Sequence, residues 1–194
     1  MKKREMKIAR GYNPKTQKTV GLFAAQLDDQ LARLKNEVKD LTVEQLEWQS
    51  RPGYNTVGML LAHFSLVEVW WILIAPTGKP WDPDGKKLVV KICGFEDDGL
   101  PLAPDGIHPS YLKGYTAEKY LAILTKTRRS VHEELKQWHD KDLDKLYKGG
   151  KTQFSRTWTL YHVLEHFCVH FGQILLLKHS MRDAGVLPPK DKAS

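Results

Sequence analysis

Apolar residues at Val20, Ala24, Leu27, Leu31, Leu34, Val38 and Leu41 recur at alternating steps of four and three. That alternation is the strongest constraint this chain places on its own fold. Such steps draw one stripe down a helix, whereas a strand, with a period of two, would scatter the same residues over both faces. A helix with one apolar stripe must bury it against others of its kind.

The rest of the sequence supplies those others. A capping box formed by Thr42 and Gln45 predicts a short turn around Leu46 and Trp48, and Ser50-Arg51-Pro52-Gly53 then breaks the chain. A second helix reads from Val57 to Ala75, with Asn55 or Thr56 as N-cap and Pro76 as the stop. Its inner stripe is Leu60, His63, Val67, Trp70 and Ile74, so a histidine stands where the period asks for a leucine. A third helix, capped by Thr116, carries Tyr120, Leu124, Thr127, Val131, Leu135 and Trp138. A polar connection containing Gly149-Gly150 leads to a fourth helix, Arg156 to Met181, with Ser155 as N-cap and Gly185 and Pro188-Pro189 beyond its end.

Residues 76–115 hold six of the ten prolines and six of the fourteen glycines, too many breakers for one helix. Within them, Leu88 to Cys93 reads as a short strand or an apolar plug. The segment as a whole reads as an irregular crossover between the second and third helices. The expectation is an all-α fold: a single domain, residues 1–194, built as a four-helix bundle.

Composition narrows the function classes. At 194 residues the chain can bury a substantial core without a metal as its main support, so a metal site here would serve chemistry. The formal net charge is +7. Its cations are dispersed, however, with local excess only at Lys2, Lys3, Arg4, Lys7 and Arg10 and at 145–151, which argues against nucleic acid as a partner. Two cysteines, Cys93 and Cys168, in no CxxC arrangement, give no disulfide framework, and Cys168 reads as packing rather than as a ligand. The basic start lacks a following apolar segment, and the longest uninterrupted apolar run, Val69 to Ala75, is short for a bilayer. A cytoplasmic protein without a membrane partner is expected.

The chemistry lies in the histidines. The fourth helix carries His162, His166 and His170 at intervals of four, which sets imidazoles one turn apart on one face. Two rings so spaced can offer nitrogens to one ion, the geometry that HExxH proteases use, although the protease glutamate is missing here. His166 and His170 lie on the side that faces the core, as does His63 on another helix. Buried imidazoles need partners, because an unsatisfied polar group costs about 1–3 kcal/mol. A shared divalent metal would satisfy all three, and so would hydrogen bonds to carbonyls or to carboxylates such as Glu68 or Glu165. His162 can ligate, orient a ligand or pack. His108, His132, His139 and His179 receive no role.

Two segments resemble the DinB-like superfamily, also described as YfiT-like. Thr56-Val-Gly-Met-Leu-Leu-Ala-His63-Phe-Ser-Leu-Val-Glu68-Val-Trp-Trp71 is similar to that family's TxGxLLxH…E…W helix. Trp158-Thr-Leu-Tyr-His-Val-Leu-Glu-His166-Phe-Cys-Val-His170-Phe-Gly-Gln173-Ile174 is similar to its HxxxHxxxHxGQI helix. The chain departs from the pattern at Phe171, where an arginine often precedes Gly-Gln, and in its longer 76–115 excursion. The resemblance implies an up-down-down-up bundle with a long crossover between helices two and three. It implies a metal site of His63, His166 and His170, with zinc or nickel as occupant, and frequent homodimers.

Three imidazoles leave coordination positions open, as catalytic metal sites do. Such a metal suits either attack by a small thiol cosubstrate held as thiolate or hydrolysis of a small-molecule substrate, and the resemblance implies the first, a thiol-dependent S-transferase, over a hydrolase. The alternative is a metal-binding or dimerising bundle that turns nothing over. Glu68 and Glu165 are candidate acids or bases, and Gln173 can orient a ligand. Trp70, Trp71, Trp158 and Tyr161 are expected in the core.

Overall fold

The computed structural model describes residues 5–78, 82–100, 104–149 and 151–189. The basic residues Lys2, Lys3 and Arg4, and Gly150 of the glycine pair, lie outside the described residues. The chain is mostly helical, with one small sheet among the described residues.

Helix α1, Lys18–Val38, buries the expected stripe from Val20 through Leu34 to Val38, and Leu41 is buried beyond its end. Helix α2, Val43–Glu47, starts at the Thr42–Gln45 capping box and buries Leu46. Helix α3, Val57–Glu68, is capped by the Thr56 side chain, which accepts from the Met59 amide. Every residue of α3 except His63 and Leu66 is buried, so this helix is the centre of the core. Its second-residue glycine has a packing reason: a Cβ at Gly58 would stand 2.8 Å from the Tyr120 hydroxyl and 3.1 Å from the Leu46 carbonyl.

The α3 path goes on as a π-helical segment, Val69–Ile74, and a 3₁₀ turn, Ala75–Thr77, where the expectation was one α-helix to Ala75. Widening the helix turns Trp70 and Trp71 half out of the core while Val69, Ile72 and Ile74 stay buried.

Two connections are more ordered than their composition suggests. Helix α4, Pro83–Cys93, stands where Leu88 to Cys93 was read as a strand or plug. Its ends follow ordinary rules: the Asp82 carboxylate accepts from the Gly85 amide, Pro83 opens the first turn, and Gly94 closes it at φ 83°. Helix α5, Ala117–Leu135, buries the expected stripe and, with it, Arg128. The connection after it contains a hairpin, β1 (Leu146–Gly149) paired antiparallel with β2 (Thr152–Ser155). Tyr147 faces Phe154 across the pair, and β1 packs on the turn 75–77, so tertiary contact supplies what the polar sequence does not advertise.

Helix α6, Arg156–Asp183, begins at Ser155, whose hydroxyl accepts from the Trp158 amide. Helix α3 packs on α5 and α6, α1 packs on both of those, and α4 lies against α3 and α5. Two stretches, Val57–Thr77 and Arg156–Asp183, are long and apolar enough to cross a membrane, although no uninterrupted apolar run in them is long. The first has 72% of its apolar window buried inside the protein, which marks a core helix; in the second the share is 28%.

Candidate metal centre

The packing of α3 on α6 is fixed by a pair of phenylalanines. Phe64 stacks on Phe167 with centroids 4.2 Å apart and planes 21° from parallel. The preceding residue of each helix is a histidine, so the stack sets His63 against His166. Their Nε2 atoms are 3.0 Å apart. One turn along α6, the Nε2 of His170 lies 3.1 Å from the same His166 nitrogen. The three rings converge, each half-buried, with ligand nitrogens all within 4.8 Å of one another.

His63 Nδ1 lies 2.6 Å from Asp98 Oδ2; a carboxylate only accepts, so the hydrogen of that ring sits on Nδ1. His170 Nδ1 donates to Gln173 Oε1 at 2.8 Å. In the neutral rings both Nε2 atoms therefore present lone pairs, and both face His166 Nε2. That atom carries at most one hydrogen, so it can satisfy one neighbour at a time. Protonating His166 is disfavoured: burial, then the fields of His170, His63 and His162, push it down to about 3. Burial also lowers His170, against the opposing hydrogen bond to Gln173. A cation among the three nitrogens removes the conflict. Zinc–nitrogen bonds of about 2.0–2.1 Å in a tetrahedron separate ligand atoms by roughly 3.3 Å, a few tenths of an ångström more than the His63–His166 and His166–His170 separations. The residues fit a metal.

The chain belongs to the DinB superfamily. The family model matches residues 26–174, which include all three histidines. Solved structures agree on the fold. A DinB-like protein from Bacillus cereus is 20% identical, with a TM-score of 0.54, covering 88% of this chain and 96% of that one. A conserved protein from Enterococcus faecalis is 16% identical, with a TM-score of 0.58, covering 83% and 95%. No curated protein matches the chain.

Other expected residues of this DinB-superfamily protein are placed elsewhere. His162 does not join the triad; its ring stacks on Trp158 at 4.6 Å and packs edge-on against Trp71. Glu68 is no acid or base for the site, because it is buried in a two-point ion pair with Arg128, at 2.6 and 3.1 Å. Glu165 is exposed beside His162. Tyr161 and Trp158 are not core residues: they are 64% and 36% exposed, at the start of α6, where Phe154 of the hairpin, Trp71 and His162 pack against Trp158. Cys168 points outward, as its spacing from His166 implied, but it is exposed rather than packed. Phe171 is buried, with the Arg33 guanidinium over its ring at 5.8 Å.

The residue that sequence reasoning missed is Asp98. It is 4% exposed and comes from the connection after α4. Its Oδ1 accepts from the Leu100 amide at 2.9 Å, and Gly99 between them takes φ 80°, a conformation that side chains resist. Asp97-Asp98-Gly99 reads as a turn in sequence, with nothing to connect it to His63. Beside His63 and Asp98 lies a cavity of about 640 Å³, with apolar walls from Leu66, Val89 and Leu100 and with Lys86, Glu96 and Asp97 around it.

Proposed function

We propose that this protein binds a divalent metal, zinc or nickel, through Nε2 of His63, His166 and His170, and uses it as a thiol-dependent S-transferase. The observation that carries the reading is the convergence of three imidazoles, two of which have their Nδ1 hydrogens already committed to Asp98 and Gln173. When bound, such an ion supplies Lewis acidity, which lowers the pKa of a water or thiol it coordinates.

The chain's own residues supply the rest. Burial opposes protonation of His166 and His170, which keeps their ring nitrogens available to an ion. The cavity against His63 offers apolar walls for the body of a small substrate, with the Lys86 ammonium available to an anionic group. Hydrolysis is the lesser reading, because both carboxylates expected to move protons, Glu68 and Glu165, are placed away from the triad's nitrogens or held by other partners.

The same reading makes residues 1–194 one domain, with α1, α3, α5 and α6 as an up-down-down-up bundle. The 76–115 segment, including α4, is its crossover. It also has the protein work in the cytoplasm as a homodimer. The dimer is supported by Val169 and Leu176, 51% and 66% exposed and two turns apart on one face of α6.

The test is metal analysis of protein purified without a His-tag, for wild type and His166→Ala, followed by turnover assays. These pair small thiols with an activated aryl halide and an epoxide. Near-stoichiometric metal in the wild type, its loss in the variant, and thiol conjugation only by the loaded protein are expected. Equal metal content in the two proteins would refute the site. A loaded protein inert toward every pair would leave a metal-binding bundle without this activity.

A further inference from the structure

The Asp98 carboxylate has both oxygens committed: Oδ2 takes the His63 Nδ1 hydrogen at 2.6 Å and Oδ1 takes the Leu100 amide at 2.9 Å. It does so while almost fully buried, beside a cavity walled by its own segment, Glu96 to Leu100. The adjoining turn is built around it. Asp97 accepts from the Gly99 amide, and Gly99 packs so closely on Pro109 that a Cβ there would stand 2.3 Å from the proline ring. A carboxylate held this rigidly can orient an imidazole, and a neutral imidazole with its hydrogen fixed on Nδ1 has a single lone pair, on Nε2.

We propose that Asp98 is a positioning residue of the metal centre: it holds His63 in the Nδ1–H form with Nε2 aimed at the ion, and ties the cavity wall at residues 96–100 to metal occupancy. The proposal rests on the metal reading above. By linkage, a contact that strengthens metal binding is itself strengthened by the metal, so the wall is more firmly held in the loaded protein than in the metal-free one.

The test has two arms, one of which needs no metal. In the first, ¹H–¹⁵N long-range spectra of metal-free protein report the tautomer of each histidine. The wild type is expected to show His63 as Nδ1–H, and Asp98→Ala to shift it toward Nε2–H. An Nε2–H ring in the wild type, or an unchanged ring in the variant, overturns the proposal whatever the metal results. In the second, zinc affinity is measured by competition with a chromophoric chelator, and exchange of the Leu100 amide is followed with and without zinc.

Outer carboxylates on ligating histidines are typically worth about 10–100-fold in affinity. Asp98→Ala is expected to lose that much, and Asp98→Asn, which keeps an acceptor and the volume, to lose less. Zinc should slow exchange at Leu100 in the wild type and not in Asp98→Ala. Affinity of Asp98→Ala within twofold of wild type, with the circular dichroism of the variant unchanged, overturns the proposal while leaving the metal reading intact. Absence of zinc binding by the wild type refutes the metal reading instead.

Discussion

The Nε2 atoms of His63 and His166 stand 3.0 Å apart although 103 positions separate them in the chain. Two acceptor nitrogens at that distance hold together only with a proton or a cation between them. A single His166 Nε2 hydrogen serves one neighbour, whereas a cation shared with His170 would satisfy all three nitrogens.

Stability should depend on metal. A ligand that binds only the folded state at a hundred times its dissociation constant adds about 2.7 kcal/mol. In a domain of this size that amounts to roughly 5–11 °C in Tm. Thermal scans with zinc against scans with a chelator should show the rise in the wild type. His63→Ala, His166→Ala and His170→Ala should each show little or none. A chelator-insensitive wild-type Tm would count against a bound ion.

Acid should weaken the metal-free protein earlier than carboxylate titration does. An unfolded chain protonates His166 near the ordinary value of about 6.5, whereas the folded chain resists until about 3. Between those values the unfolded state binds more protons, so stability rises with pH and is lost as pH falls through that window. Urea unfolding of chelator-treated protein at pH 7.5, 6.0 and 4.5 should show the decline. His166→Gln should flatten it.

The Arg128–Glu68 pair should be costly to break from one side. Both side chains are buried, and Arg128 also reaches Asp28 at 3.2 Å. Removing one partner of a buried pair typically costs about 3–5 kcal/mol, because the other charge is left uncompensated. Arg128→Met should lose that much in urea unfolding. The double variant Arg128→Met with Glu68→Leu should be less destabilised than the single change, and an additive result would deny the coupling.

The two thiols should separate cleanly. Burial pushes Cys93 up to about 12, whereas Cys168 is exposed. Iodoacetamide at pH 8 on native protein should modify Cys168 alone, read by peptide mass. Modification of Cys93 should appear only when urea opens the core.

Much of this was legible in sequence because it is local. The α1 and α5 stripes, the caps at Thr42, Thr56, Thr116 and Ser155, and the face shared by His166 and His170 all follow from a period of 3.6 and from capping chemistry. The α4 helix was misread as a strand or plug: Asp82-Pro83 at one end and Gly94 at the other are ordinary start and stop signals, but the prolines and glycines around them obscured both. The hairpin was not legible, since it depends on packing against residues 75–77, about seventy positions earlier.

By itself the sequence determined that α1, α3, α5 and α6 form, which faces α1 and α5 bury and that His166 and His170 share a face, because those depend on spacings of three and four residues. Only the tertiary structure decided that Asp98 closes on His63, that Glu68 goes to Arg128 rather than to the site, and that His162 stacks on Trp158. The physical reason is range. A helical period acts within one turn of chain, whereas a hydrogen bond between residues 35 or 60 positions apart exists only once packing has brought two distant segments together.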